Sequence, residues 1–417
     1  MAVWDLLVRL SHVSAALAAV LLLAALGRRL AALLHQPSVI GEITAGLLVV
    51  PVIGAVAGQG AVDLVLPGPV AEVLHLVGTV GLVLFLVSIV HELGRKEGGL
   101  RAGSVGWATA GSLVPALVTG SLLVWWVSST GDADLRGDAP LSAFLLFVAT
   151  AMAVTAVPVL ARILVDRRMN GTLVGDLALS AAVVTDVVAW VLLAVAVGLT
   201  AGGVSGALVS TLIMAVGIPT ALGCRALLRS GRASAWAARF TTWSSVLLAL
   251  VALGTAMLLE HWGLTAVVGA FLVGVAVPHG GGWNRVVGRL AAAGRTVVPV
   301  FFVVAGLDLF TGPGSGFPVG TTVLAVGLAL LGKIGGGYLG ARLARLPAAD
   351  ALTFGVLMNT RGLTEIVVLQ AGYAAGILSP GLFLVLVVMA VVTTAMTGPL
   401  LSLLVRSRRH SHAPGGV

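Results

Sequence analysis

Charge is scarce in this chain of 417 residues: Asp, Glu, Lys and Arg together make up 10% of it, against about 25% in soluble globular proteins. A soluble fold is therefore excluded. Aromatic residues are few as well, and the single cysteine, Cys224, leaves no partner for an internal disulfide. There is no H-E-x-x-H, no G-x-S-x-G and no cysteine ligand set, so metal-dependent or serine hydrolysis has no support. We expect neither an enzyme nor a bound cofactor. The start, MAVWDLLVRL, has no basic leader region and no small-residue cleavage site, and it reads as part of a first membrane span. The apolar runs do not alternate with polar residues, which excludes an outer-membrane barrel.

What is present is apolar. Hydrophobic residues reach 59%, mean hydropathy is +1.10, and apolar runs of about 20 residues recur, enough to cross a bilayer as a helix. The prediction is an all-α polytopic membrane protein of about thirteen spans. They begin near Leu6, Val39, Val70, Val105, Leu141, Leu173, Ala207, Thr241, Leu264, Thr296, Pro318, Ala351 and Pro380. The net charge of +8 does not indicate nucleic acid, because the basic residues sit in short loops at alternate connections. Twenty of the 24 Lys and Arg fall on one side, among them Arg28, Arg95, Arg167, Arg229, Arg289 and Arg408. Arg136, in the acidic loop SSTGDADLRGD, falls on the other. By the positive-inside rule the basic side is cytoplasmic, the N-terminus outside and the C-terminus inside. Residues 1–405 form the membrane domain; residues 406–417 are a short basic cytoplasmic tail. Trp283, Val286, Val287 and Leu290, interleaved with Arg285 and Arg289, predict a short interfacial helix.

Few polar groups lie within the spans, and each demands a reason. Asp186 is the one charge between Leu177 and Leu199. Such a group costs about 2.5–3.5 kcal/mol at bilayer depth on insertion scales. It is either satisfied by hydrogen bonds or has a task in ion or proton chemistry. In the fifth span Pro158 removes a backbone donor and kinks the helix, with Thr155 just before it. The twelfth span is interrupted by Asn359, Thr360, Arg361, Gly362 and Thr364, with Glu365 following. Arg361 and Glu365 are four residues apart and able to pair, either as a neutralised structural pair or as part of a site. Lys333, in the eleventh span, either pairs with a carboxylate, for which Asp186 is the obvious candidate, or loses its proton. Gly332, Gly336 and Gly340 recur every four residues and permit close approach of another helix. Glu42, early in the second span, is a weaker candidate for ion chemistry.

The two interruptions are seven spans apart. Taking residues of about 1–200 and 241–405 as two six-helix units, with a linker helix over about 206–228, puts both in the fifth span of their unit. The units start on opposite sides of the membrane, so the repeat is inverted. Interrupted helices at matching places of inverted repeats point to a transport site at mid-membrane.

Six segments, in this order and spacing, resemble the cation:proton antiporters of the sodium/hydrogen exchanger superfamily, in the branch of Kef-type and bacterial sodium/proton antiporters. They are QPSVIGEITAGLLVVP, LVLFLVSIVHEL, VTAVPVLARIL, LALSAAVVTDVVAW, VPVFFVVAGLDL and MNTRGLTEIVVL. The resemblance implies a scaffold domain with dimer contacts and a core domain in which two broken helices cross. It implies a homodimer in the cell membrane exchanging Na⁺ or K⁺ for H⁺. Asp186 matches the ion-binding aspartate, Thr155 the polar residue of the first break, Lys333 the site lysine and Arg361 the basic residue of the second crossing. Where electrogenic members carry two adjacent carboxylates, this chain has Thr185 and Asp186. Asp186 would then bind cation and proton in turn, with Thr155, Thr185 and opened carbonyls as further ligands, Asn359 as a possible one, and Lys333, Arg361 and Glu365 balancing charge. A proton-coupled exporter of a small organic cation or ionophore, and a cation channel, share these features.

Overall fold

The computed structural model describes residues 2–33, 38–58, 68–93, 101–131, 135–169, 171–262, 264, 266–310 and 318–411. Every extended regular element among them is helical. In chain order these are α1 (Ala2–Leu33), α2 (Ser38–Ala57), α3 (Gly68–Leu93), α4 (Ala102–Thr130), α5 (Leu141–Ala153), α6 (Val157–Asp166), α7 (Leu173–Leu228), α8 (Gly231–Arg239), α9 (Thr241–His261), α10 (Ala266–Ala276), α11 (Trp283–Phe310), α12 (Val319–Leu330), a π-helical turn (Leu331–Gly335), α13 (Gly336–Leu343), α14 (Ala348–Met358), α15 (Leu363–Ala374) and α16 (Pro380–Ser411). Among the described residues eight helical stretches are individually long and apolar enough to span a bilayer. The exceptions matter most. The 13 residues of α5 and 11 of α14 reach only about halfway at 1.5 Å per residue. Each is followed, after a few non-helical residues, by a second half, α6 or α15.

The chain folds into two compact units, and neither is a contiguous half. One comprises Met1–Arg95 and Ser205–Gly314, the other Lys96–Val204 and Ser315–Val417. In the first, α11 packs on α3 and α2, and α1 on α2, around Ala16, Val20, Val70, Leu74 and Val300. In the second, α4 packs on α5 and α13, α13 on α14, and α12 on α16. The expected glycine stripe works here. A Cβ at Gly340 would lie 2.6 Å from the Trp107 carbonyl oxygen, and one at Gly336 would lie 2.5 Å from that of Gly111. Only hydrogen at these positions lets the α4 and α13 backbones meet.

Within α7 the stretches Leu173–Thr200 and Gly203–Leu228 are each long and apolar enough to span a bilayer, and the second begins at Gly203, whose φ of +60° is left-handed. The chain passes between the units two residues later. One expectation is corrected: there is no separate interfacial helix at Trp283, and this segment is the first part of the 28-residue α11. Its stripe of Trp283, Val286, Val287 and Leu290 is buried in protein rather than laid on a membrane surface, because a stripe at helical spacing packs against neighbours as readily as against lipid.

Candidate ion-binding site at two crossing helix breaks

The site is assembled wholly within the second unit. The first break, residues 154–156, falls just before Pro158, which is the second residue of α6. There its missing N–H is one the helix start would leave unpaired anyway. The second break, residues 359–362, separates α14 from α15. The breaks cross and bond directly: the Ala156 N–H donates to the Thr360 carbonyl at 2.9 Å, and the Thr155 hydroxyl to the Met358 carbonyl at 3.0 Å.

A broken helix leaves its last carbonyls unpaired, with partial negative charge gathered there. In a bilayer no water satisfies them. Here two cations do so. Arg361 donates from Nη1 to the Ala151 carbonyl at 3.2 Å and from Nη2 to that of Met152 at 2.6 Å. Lys333 donates to the next carbonyl, Ala153, in a short contact. Three consecutive carbonyls at the end of α5 are thus held by side chains from two other elements. Arg361 also forms the expected pair with Glu365, 2.5 Å apart and with both side chains fully buried. Glu365 lies in the first turn of α15, where a carboxylate is favoured by the helix dipole. One oxygen of Glu365, Nε of Arg361 and the Asn359 side-chain oxygen remain without hydrogen bonds.

Lys333 sits in the middle of the π-helical turn and is fully buried. It forms no ion pair with Asp186, contrary to the expected pairing. Its ammonium donates to the Thr155 hydroxyl at 2.7 Å and to the Ser112 hydroxyl at 3.4 Å, besides the Ala153 carbonyl. The end of α5 offers oxygens in a geometry that draws the ammonium away from the carboxylate. The Lys333 charge acts on Asp186 only through space.

Asp186 is 2% exposed, and neither of its carboxylate oxygens has a hydrogen bond. It lies with Ala182, Thr185, Ala189 and Leu193 on the buried side of α7, while Val184 and Val187 are exposed. Thr185 is back-bonded to the Ala181 carbonyl at 2.9 Å, which leaves its oxygen lone pairs available. Glu42 stands apart: it belongs to the other unit and pairs with Arg28 at 2.9 Å. Among the described residues no group of three or more His, Cys, Asp or Glu is placed to hold a metal ion. The side chain of Thr364 lies outside the described residues.

Sequence reasoning missed Ser112, Thr394 and the main-chain carbonyl of Thr393, whose own hydroxyl turns back into its helix. Asn359 donates to the Thr393 carbonyl at 3.0 Å, and Thr394 bonds the backbone of Arg361. The signal was there in VVTTAMTG, a polar cluster in the last apolar span.

Two half-helix pairs crossing at buried charges define a polytopic helical membrane protein built around paired discontinuous helices. More particularly, the chain belongs to the sodium/hydrogen exchanger transmembrane family, which it matches over residues 16–407. It is 34% identical to Cation/H(+) antiporter 17 of Arabidopsis thaliana, over 88% of this chain and 45% of that protein. It is 30% identical to the Na(+)/H(+) antiporter NhaS4 of Synechocystis, over 88% of this chain and 90% of that one. The chain spans about half the length of its plant relatives. Its fold resembles that of the sodium proton antiporter MjNhaP1 of Methanocaldococcus jannaschii, with a TM-score of 0.60, 14% identity, and 95% and 99% of the two chains covered.

Proposed function

We propose that this protein exchanges a monovalent cation, Na⁺ or K⁺, for protons across the cell membrane by alternating access. The observation that carries this reading is Asp186: a carboxylate 2% exposed, with both oxygens free of hydrogen bonds. A structural Asp at this depth is satisfied by donors. One left open is available to a proton or a cation, and each excludes the other. That competition is sufficient for exchange, because a loaded cation displaces the proton and the empty charged site crosses poorly.

The ammonium of Lys333 occupies the Thr155 and Ala153 oxygens, which are the further ligands a cation at Asp186 would use. Cation entry therefore displaces Lys333 from them. Arg361 and Glu365 keep the α5 end neutral while this happens. The relatives compared above are named as antiporters of cations or Na⁺ for protons, which supports this reading. We further propose that the two halves form an inverted repeat, that the protein is a homodimer, and that the basic loops and C-terminus are cytoplasmic.

The test is proton flux in everted vesicles, read with a pH-sensitive dye on addition of Na⁺, K⁺ or Li⁺. Asp186→Asn should abolish exchange in a protein that still inserts and folds. Exchange retained by this variant would sink the assignment, and cation flux without proton counterflow would make the protein a channel.

A further inference from the structure

Each broken helix is followed by a span carrying a buried polar pair. After α5 and α6 comes Thr185–Asp186 in α7; after α14 and α15 comes Thr393–Thr394 in α16. The two pairs are finished differently. Asp186 has no hydrogen bond. Thr394 has two, both to one residue: its hydroxyl accepts from the Arg361 N–H at 2.9 Å and donates to the Arg361 carbonyl at 2.9 Å. A threonine inside a helix ordinarily back-bonds to its own preceding turn. Thr393 does this, donating to the Met389 and Ala390 carbonyls at 2.7 and 3.2 Å. Thr394 instead points across to the break, where one hydroxyl replaces both backbone partners that Arg361 loses when the helix opens.

The geometry points to Thr394 as a positioning residue for ion exchange, the closed counterpart of Asp186: its hydroxyl fixes the backbone of Arg361, whose guanidinium in turn holds the end of α5. Residue 361 supplies backbone to Thr394 and guanidinium to Ala151, Met152 and Glu365. The Thr155 hydroxyl and Ala153 carbonyl follow directly from that capped end. Displacing the Arg361 backbone therefore moves the oxygens around the ion, although Thr394 touches none of them. Of the two polar pairs that follow the helix breaks among the described residues, one leaves Asp186 open for chemistry and the other latches the second break through the Thr394 hydroxyl.

Thr394→Val keeps shape and volume but removes donor and acceptor together; Thr394→Ser keeps both; Thr393→Val is the matched control. The functional arm rests on the antiport reading above and is read as proton flux in vesicles. A structural arm, backbone hydrogen exchange of the peptide holding residues 359–362, is independent of it. Thr394→Val should exchange amide hydrogens faster in this peptide and lose about tenfold or more of maximal flux, the effect of one buried hydrogen bond lost. Thr394→Ser should restore both to within about twofold, and Thr393→Val should resemble the parent. If Thr394→Val fails to fold, Thr394→Cys, with its weaker donor, should fall below Thr394→Ser in protection and flux. Unchanged protection or flux in Thr394→Val, equal damage from Thr393→Val, or equal behaviour of the Ser and Cys variants would overturn the assignment. A parent protein with no cation-dependent flux refutes the antiport reading instead, and the hydrogen-exchange arm then decides the role of Thr394.

Discussion

Asp186 and Lys333 are both buried charges, yet the structure treats them in opposite ways. Lys333 donates to three oxygens; Asp186 accepts from none. On the proposed reading, two of the lysine's oxygens, on Thr155 and Ala153, are shared with a cation at Asp186. That reading makes Lys333 an internal competitor, and a variant without its charge should bind cation more readily. For Lys333→Met we expect the half-saturating cation concentration to fall by about fivefold or more, since even 1 kcal/mol of removed competition is worth about that. Maximal flux should fall too, because the end of α5 loses a cap. A half-saturating concentration that rises would show Lys333 to assist binding instead. The Asp186 charge could be singled out from the sequence, because it stands alone in an apolar run. Its freedom from Lys333 could not, because a sequence orders charges without measuring which oxygen lies nearer.

At the scale of elements, the end of α5 depends on Arg361 more than on any other side chain. Arg361→Gln removes the caps of Ala151 and Met152 and leaves Glu365 buried without its ion-pair partner. Glu365→Gln removes only one partner of a guanidinium that keeps its two carbonyls. Breaking a buried pair from one side costs about 3–5 kcal/mol, so both variants should lower the thermal midpoint in detergent, Arg361→Gln by more. The reverse order would mean that the ion pair, not the carbonyl caps, dominates. The α4–α13 contact is a second such element. A Cβ at Gly111 would lie 2.3 Å from the Gly340 Cα, and backbone cannot step aside as a side chain can. Gly111→Ala should cost about 1–3 kcal/mol and shift α13 away from Ser112, so that flux falls with stability. A variant with parental stability would show that this contact yields freely. The small-residue period was legible in Gly332, Gly336 and Gly340; its partner, Gly111, sits some 220 residues earlier in chain and became visible only in the fold.

For the whole molecule, the charge pattern makes a claim on orientation that surface labelling can check. In a Cys224→Ser background, Ser129→Cys lies at the end of α4 beside the acidic loop, and Arg229→Cys lies just past α7; both positions are exposed. A membrane-impermeant maleimide applied to intact cells should label position 129 and not position 229, with the pattern reversed in everted vesicles. The opposite result would invert the topology. Gly203 raises a related point. Its left-handed φ occurs where the chain leaves one unit for the other, so Gly203→Ala should destabilise the protein by about 1–2 kcal/mol through backbone strain alone, read as a lower thermal midpoint.

The sequence by itself determined that this is a multi-pass helical membrane protein, since apolar length and scarcity of charge have no other physical outlet than a bilayer. It also marked the two spans that break, one by Pro158 with Thr155 before it and one by a run of polar residues at 359–362, and it showed that Asp186 was the charge to explain. Tertiary structure decided the rest. It divided the chain into units that cut across the sequence halves, merged the Trp283 segment into α11, and gave Lys333 to Thr155 rather than to Asp186. These outcomes turn on which groups from distant spans come within hydrogen-bond reach. That distance, about 3 Å, is set by packing between helices and is not written in the order of residues along any one of them.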